Sequence, residues 1–239
     1  MSAEVPNAAA TNADFEFEAL REARNYRAAL LREFTPWLCG DVIEVGAGIG
    51  QMTAHLRALP GIRRLIAIEP DGGLCQQHRA SLPGHELYEG TIAETPTDTE
   101  WDAIFSINVL EHIEGDAAEL ARYAALLRAR RGRFCVLVPA RPEIYAPIDR
   151  DFGHFRRYTR RVLRSRLESA GFEVEQISYF NCVGYLAWWL NFRVLGKRVF
   201  EIAKVRFYDR AIFPTVHWLE STIARPPIGQ SLIAVARAG

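Results

Sequence analysis

The sequence predicts an α/β protein with a doubly wound, seven-stranded, mainly parallel sheet that helices cover on both faces. Three observations support this prediction. Short apolar runs alternate with segments of helical periodicity along most of the chain. The first apolar run ends in a glycine-rich turn. The chain has 239 residues, of which 49% are hydrophobic and 24% charged, which is enough to form one large core.

Seven apolar segments are predicted as strands because turn residues or helical segments bound each of them. In chain order they cover residues 42–45, 65–68, 86–88, 101–107, 134–138, 172–179 and 231–236. Sheets of this type bind ligands beyond the carboxyl ends of the strands, where the strand order reverses. We therefore expect a ligand site that follows the first four strands.

Five segments have apolar residues at helical spacing and are predicted as helices. They cover residues 15–34, 51–59, 73–80, 116–129 and 159–170. Thr159 is the predicted N-cap of the last helix, and Gly171 is the residue that ends it.

The chain is predicted to form a single domain over residues 14–239 after a disordered tail at 1–13. The domain divides into an N-terminal helical cap at 14–40, a core sheet at 41–180 and 230–239, and a helical insertion at 181–229. The tail has no basic start and no apolar run, so we expect no signal peptide and a cytoplasmic location.

Charge and cysteine content exclude some classes of function. Lys plus Arg number 29 and Asp plus Glu number 29, so the formal net charge is zero and no nucleic-acid partner is expected. The cysteines Cys39, Cys75, Cys135 and Cys182 are far apart, and the histidines are not clustered in sequence. Neither a metal site nor a disulfide framework is predicted.

The segment VIEVGAGIG at 42–50 is the first candidate ligand loop. Gly46, Gly48 and Gly50 let the backbone turn sharply and approach a ligand that helix N-terminal amides face. A dinucleotide loop needs glycine at the sixth position, where this chain has Gln51. Glu44 would repel a pyrophosphate but suits a cationic amine. A tight turn that binds no ligand is the alternative.

Two further strand ends carry polar residues. Glu69 ends the second strand 23 residues after Gly46, where a carboxylate can accept hydrogen bonds from a ribose diol. The fourth strand leads into Asn108, Glu111 and His112. His112 is a candidate general base near neutral pH, or else a histidine that only packs at a helix start.

Taken in order, these motifs resemble those of class I S-adenosylmethionine-dependent methyltransferases. The resemblance rests on VIEVGAGIG, IAIEPD, EGTI at 89–92 and WDAIFSINVLEHI at 101–113, and it covers about residues 15–180 and the last strand. GHFRRYT at 153–159, AGF at 170–172 and Asn25-Tyr26 are similar to a bacterial subgroup that acts on small molecules. The implied fold is Rossmann-like.

The resemblance implies a binding role for each matching residue. Gly46, Ala47, Gly48 and Gly50 would surround the methionine part of S-adenosylmethionine, with Glu44 near its amine and Glu69 on its ribose. Pro70, Asp71, Thr91 and Ile92 would border the adenine, while Asn108 and Val109 flank the sulfonium and Tyr26 covers the cofactor. Many relatives carry Asp in place of Thr91, which leaves the contact to the adenine amine open.

The implied reaction moves a methyl group to a hydroxyl or amine of a small molecule, such as a natural product or a saccharide or lipid-linked intermediate. Such transfer depends mainly on position, and a base must take the acceptor proton. The candidates are His112, His154 and Tyr158, and a plain surface loop around His154 is the alternative. No metal is expected. A nicotinamide-dinucleotide oxidoreductase and a non-catalytic binding protein are the other hypotheses.

Two segments leave their roles open. Six arginines between 156 and 166 form either a solvated helix face or a patch for a phosphate or carboxylate. The aromatic segment at 181–206 either lines the substrate pocket, contacts a membrane surface or forms a homodimer interface.

Overall fold

A seven-stranded sheet forms the framework of the computed structural model, which describes residues 20–95, 100–199, 201–223 and 225–239. The strands are β1 (Gly40–Val45), β2 (Ile62–Glu69), β3 (Leu87–Glu89), β4 (Ala103–Ile107), β5 (Arg133–Pro139), β6 (Phe172–Phe180) and β7 (Ser231–Ala238). Their order is β3-β2-β1-β4-β5-β7-β6. The first five pair in parallel, and β7 runs antiparallel between β5 and β6. The predicted fold class is confirmed.

Helices occupy the connections between the strands. They are α1 (Arg24–Phe34), α2 (Gln51–Leu56), α3 (Gly72–Ser81), α4 (Asp116–Leu127), α5 (Pro147–Asp151), α6 (Arg160–Ser169), α7 (Cys182–Trp188), α8 (Ile202–Phe207) and α9 (Phe213–Thr222). Short π-helical turns follow α7 at Trp189–Val194 and α8 at Tyr208–Ile212. The predicted tail at 1–13 and the first part of the predicted helix at 15–34 lie outside the described residues.

Local signals set the limits of α6 as the sequence predicts. The Thr159 side chain accepts a hydrogen bond from the Val162 amide, which satisfies one of the unpaired donors at the helix start. Gly171 follows the helix with φ +96°, a left-handed conformation that ends a helix at little cost for glycine.

The sheet is buried on both faces, as its alternating side chains require. Phe134, Val136 and Val138 of β5 pack in one core with the apolar faces of α4 and α6. Cys135 and Leu137 of the same strand pack in a second core with α1 and α2. This two-sided burial is typical of parallel sheets.

The strand order reverses between β1 and β4. The chain leaves β1 toward β2 on one side and later returns to β4 on the other, so the loops after Val45 and Ile107 diverge. The crevice between such loops is the usual ligand site of an open α/β sheet.

The segment between β6 and β7 packs against the start of α1. Asp209, only 2% exposed, accepts hydrogen bonds from the backbone amides of Asn25 and Tyr26 at 3.0 and 2.8 Å. The Asn25 side chain also donates to the Asp209 carbonyl, at 2.9 Å. Within the described residues no helix has the length and apolar character needed to cross a membrane.

Candidate functional site

The glycine loop after β1 forms a tight turn into α2. Gly46 and Gly50 have φ values of +73° and +86°, which side-chain-bearing residues rarely adopt. The amides of Gly46 and Ala47 donate to the Ile68 carbonyl at 2.9 and 3.1 Å, so the end of β2 holds the loop.

Gly46 also brings the backbone against a neighbouring strand end. A Cβ at Gly46 would lie 2.3 Å from Cγ2 of Val109, far inside van der Waals contact. The loops after β1 and β4 therefore touch, and only glycine fits at this position. The sequence-predicted residues Gly46 and Val109 are thus brought together.

Glu69 ties the loop after β1 to the end of β2. Its carboxylate accepts hydrogen bonds from the Gly48 amide at 2.8 Å and from the Asp71 amide at 2.9 Å. Burial raises the pKa of Glu69, and these two amides partly offset the rise. The carboxylate thus lies at the carboxyl edge of the sheet, next to the glycine loop.

Glu44 is 3% exposed and lies beneath the same loop. Burial raises the pKa of Glu44 to about 8, and the nearby Glu69 carboxylate adds to the rise. Hydrogen bonds from Thr53 act in the opposite direction and lower the pKa. Its Oε2 atom is buried without a hydrogen-bond partner among the described residues. A buried acceptor of this kind fits a cationic amine, which would supply both the charge and the hydrogen bond.

The predicted adenine-side residues follow β2 and β3. Asp71 caps α3 by accepting a hydrogen bond from the Leu74 amide at 2.9 Å, and Pro70 beside it is exposed. The amide and hydroxyl of Thr91 both donate to Glu94 at 2.7 and 3.0 Å. Ile92 is 2% exposed and offers an apolar surface.

Asn108 lies where the glycine-loop crevice meets a larger cavity. It has φ +53°, and its amide donates to the Leu137 carbonyl at 3.0 Å, so β5 holds this strained turn. Tyr26 of α1 also borders the cavity and packs on Phe180 and Phe213 with ring centroids 5.3 and 5.5 Å away. Burial raises the pKa of Tyr26 to about 12.

The cavity has a volume of about 320 Å³ and a mostly apolar lining. One face of α7 and the following π-helical turn forms much of its wall. The residues on this face are Gly184, Ala187, Trp188, Asn191 and Phe192. Polar groups on the wall include Asn181, Gln230 and Ser231 near the ends of β6 and β7. The arrangement suits a small molecule with an apolar body and few polar groups.

His154 enters this cavity from the loop after α5 and is held by buried charges. Its Nδ1 lies 3.2 Å from the Asp149 carboxylate, which also binds the Arg157 guanidinium at 2.7 Å. Burial alone would raise the pKa of Asp149, but hydrogen bonds from His154, Arg157 and the Ala146 amide lower it. Asp149 is therefore an anion that fixes the imidazole orientation. Sequence reasoning missed Asp149 and Arg157 as a pair.

His112 lies beside His154, with ring centroids 4.7 Å apart and the rings nearly perpendicular. The amide of Phe155 donates to the Glu111 carbonyl at 2.8 Å, which joins the two segments. The His112 side chain reaches solvent, yet partial burial and the adjacent His154 lower its pKa to about 4. His112 is therefore a neutral imidazole at pH 7.

Tyr158 lies deeper, away from the lining of the cavity. It is 1% exposed, and its hydroxyl donates to Asp116 at 2.7 Å and lies 3.2 Å from the Leu110 carbonyl. Burial raises the pKa of Tyr158 well above its ordinary value. The structure thus gives this hydroxyl a partner in α4.

The arginines of 156–166 divide between different partners. Arg157 is buried against Asp149, and the Trp188 ring lies 4.4 Å from its guanidinium carbon. Arg156 and Arg166 both pair with Asp116. These three side chains hold the loop and α6 in place, so they do not form a solvated face.

Comparisons with known proteins agree with this geometry. Residues 13–177 match a family model described as a methyltransferase domain. The chain belongs to this methyltransferase family. Since the match covers more than half of the chain and the sheet has the expected order, the protein is a class I methyltransferase with S-adenosylmethionine as its methyl donor. This assignment replaces the nicotinamide-dinucleotide hypothesis.

Solved structures share the fold at low sequence identity. One is a chain in the complex between the Haloferax volcanii Trm112 methyltransferase activator and a candidate methyltransferase (18% identity, 99% of each chain covered, TM-score 0.63). Another is DhpI in complex with SAH (16% identity, 97% and 93% covered, TM-score 0.60). A third is an S-adenosylmethionine-dependent methyltransferase from Mesorhizobium loti (17% identity, 87% and 95% covered, TM-score 0.55). None of the curated proteins matches the chain.

Proposed function

We propose that this methyltransferase transfers the methyl group to a hydroxyl, or an amine, of a small molecule with a large apolar part. The observation that carries the proposal is the apolar cavity that begins at Asn108 and contains His154. An acceptor in this cavity lies next to the residues proposed to flank the sulfonium, Asn108 and Val109. The cofactor supplies an electrophilic methyl group, and the cavity supplies position.

The proposed cofactor-binding set keeps the roles implied by the resemblance. The carboxylate of Glu69 takes the ribose hydroxyls, and Glu44 takes the amine. The close contact between Gly46 and Val109 supports a loop shaped for near approach of the ligand. The amide and the hydroxyl of Thr91 both donate to Glu94, so Thr91 is proposed to border the adenine without a hydrogen bond from either group.

His154 is the proposed base for an acceptor hydroxyl. Asp149 accepts the hydrogen bond from Nδ1, so the basic lone pair is assigned to Nε2. A base oriented by a carboxylate in this way is a common arrangement for removing a hydroxyl proton. His112 is the second candidate because it is neutral at pH 7, whereas Tyr158 supports the loop through Asp116.

The experiment is incubation with isotopically labelled S-adenosylmethionine and a series of acceptors that differ only in a hydroxyl or in their apolar part. We expect label in hydroxylated apolar acceptors and none in matched compounds without the hydroxyl. His154→Gln should lower kcat by about 10²- to 10⁴-fold. His217→Gln, in a separate groove beside α9, is the matched control. Equal turnover in both variants would remove His154 as the base.

A second surface favours an amphiphilic acceptor. The face of α7 and its π-helical extension opposite the cavity is apolar and exposed. Its side chains and their exposed fractions are Leu186 55%, Trp189 45%, Leu190 48% and Val194 54%. A helix that is apolar on both faces is typical of one covered on both sides. We propose that a membrane surface covers this face, since Arg193 lies among these residues and suits anionic lipids.

Vesicle sedimentation tests the membrane contact. We expect the protein to pellet with anionic phospholipid vesicles more than with zwitterionic ones, and Leu190→Asp should reduce pelleting on both. Leu219→Asp, an exposed apolar position on α9, serves as the control. Sedimentation velocity of the protein without vesicles measures its oligomeric state and so tests the alternative of a homodimer. A dimer that Leu190→Asp dissociates, without vesicle binding, would contradict the membrane contact.

A further inference from the structure

Three donor-bearing side chains meet at the edge of the acceptor cavity. Glu111 and His112 follow β4, and His154 comes from the loop after α5. One ligand-type atom from each of the three lies within 4.8 Å of those from the other two. Glu111 is 0% exposed, His154 is 6% exposed and His112 reaches solvent. The group is therefore closed on the side of Glu111 and open on the side of His112.

Hydrogen bonds to backbone carbonyls hold the two segments together independently of any ligand. Phe155 donates to the Glu111 carbonyl at 2.8 Å, and Arg156 donates to the Ile113 and Glu114 carbonyls at 3.0 and 2.8 Å. The loop after α5 is therefore fastened to the short helical turn after β4. The juxtaposition of the two imidazoles results from the fold rather than from chance rotamers on mobile loops.

A buried carboxylate orients the His154 imidazole as in many metal sites. The Asp149 carboxylate lies 3.2 Å from Nδ1 of His154, which assigns the lone pair to Nε2. Metal-binding histidines commonly donate their other ring N–H to a carboxylate in this way. His112 adds a second imidazole, with its ring centroid 4.7 Å from that of His154. Glu111 adds an oxygen donor.

The surrounding charge favours a cation. Glu111 and Asp149 are both 0% exposed. The guanidinium of Arg157, which is 5% exposed, interacts electrostatically with both carboxyl groups. Arg156 is turned toward Asp116. Two buried carboxyl groups beside one buried guanidinium leave room for a further positive charge.

We infer that Glu111, His112 and His154 bind a divalent transition-metal ion at the edge of the acceptor cavity. Two imidazole nitrogens and one carboxylate oxygen suit Zn²⁺ and its neighbours better than Mg²⁺, which prefers oxygen ligands. Three protein ligands leave a position open toward the cavity. The inference rests on the proposed function only for its role: in the ion-bound protein Nε2 of His154 is a ligand, so the ion at the open position, rather than His154, would orient the acceptor oxygen and lower its pKa.

The test titrates Zn²⁺, Co²⁺ and Mg²⁺ into the purified full-length protein after treatment with a chelator. Calorimetry gives the stoichiometry, and the visible spectrum of Co²⁺ reports its ligands. We expect one Zn²⁺ or Co²⁺ per chain, much weaker Mg²⁺ binding, and Co²⁺ bands without thiolate charge transfer. His112→Ala should weaken binding by about 100-fold or more, since loss of even an outer partner costs about 10- to 100-fold.

Control variants distinguish this site from metal binding by side chains elsewhere in the chain. His112 reaches solvent, so His112→Ala is expected to keep the fold, which circular dichroism checks. His217→Ala, in a separate groove, should bind Zn²⁺ like the unmodified protein. The inference is overturned by absence of one-to-one Zn²⁺ or Co²⁺ binding, by a thiolate band, or by equal affinity in His112→Ala. Because no methyl donor or acceptor is present, failure of the proposed function leaves this result intact, and the reverse also holds.

Discussion

Replacement of Glu44 by Gln should stabilise the cofactor-free protein while it weakens cofactor binding. The pKa of Glu44 is about 8 in the folded protein, because the carboxylate is buried, against 4.5 for the ordinary group. The folded state therefore holds a proton that the unfolded state releases above pH 4.5. The stability that this group contributes is present at low pH and is lost as the pH rises from 4.5 toward 8.

The magnitude follows from the two pKa values. By linkage, burial of Glu44 lowers the free energy of unfolding at pH 7 by about 3 kcal/mol relative to its value at low pH. Between pH 5 and pH 8 the free energy of unfolding should fall by about 3 kcal/mol. Glu44→Gln has no proton to hold, so its free energy of unfolding should change less steeply over this range. Glu44 can release its proton when the cationic amine binds, whereas the neutral amide cannot become charged. We expect its affinity for S-adenosylhomocysteine to fall by about 10- to 100-fold.

Urea denaturation at pH 5, 6, 7 and 8 measures the stability difference, and calorimetry measures binding. Glu168→Gln on the exposed face of α6 is the control, since it changes the same functional group at the surface. The reasoning is refuted if Glu44→Gln and the unmodified protein lose stability in parallel from pH 5 to pH 8. Unchanged binding in Glu44→Gln would separately remove Glu44 from the cofactor amine.

Three further predictions follow from single contacts. Gly46→Ala should abolish S-adenosylhomocysteine binding in calorimetry and lower the Tm, because its Cβ meets Val109 at 2.3 Å; retained binding would contradict the close approach. Tyr158→Phe should cost about 1.5–3 kcal/mol in urea denaturation through loss of the bond to Asp116, while kcat at 25 °C is kept; a large fall in kcat would restore Tyr158 as a catalytic candidate. Burial and a neighbouring imidazole lower the pKa of His85 to about 4, so the protein should lose stability as the pH falls from 6.5 to 4. His85→Phe should lose less stability over this range. Equal slopes of unfolding free energy against pH in the two proteins would argue against burial of His85.

Much of the fold was predictable because its signals are local. The alternation of apolar runs and helical periodicity predicted the strands and their order of appearance, and Thr159 and Gly171 set the limits of α6. The strands were found within a few residues of the predicted limits. The largest shift at a strand start is in β2, which begins at Ile62 rather than 65.

The position of most proposed cofactor residues at the carboxyl edge of the sheet was also predictable, since they stand at strand ends. The acceptor side was predictable only in part. His154 was a candidate base, but its partners Asp149 and Arg157 depend on buried contacts, and no sequence pattern marks a carboxylate as buried. Glu111 and His154 are 43 positions apart in the chain, so only the folded loop shows that they meet. Spacing alone groups the arginines on one helix face, because Asp116 and Asp149, the partners of Arg156, Arg157 and Arg166, lie elsewhere in sequence.

The Asp209 carboxylate gives the enzyme a mechanical constraint. It joins the start of α1, which carries Tyr26, to the segment that walls the acceptor cavity. A displacement of α1 from this segment must therefore break these hydrogen bonds, so Tyr26 and the cavity wall keep their relative position as long as the Asp209 contacts hold.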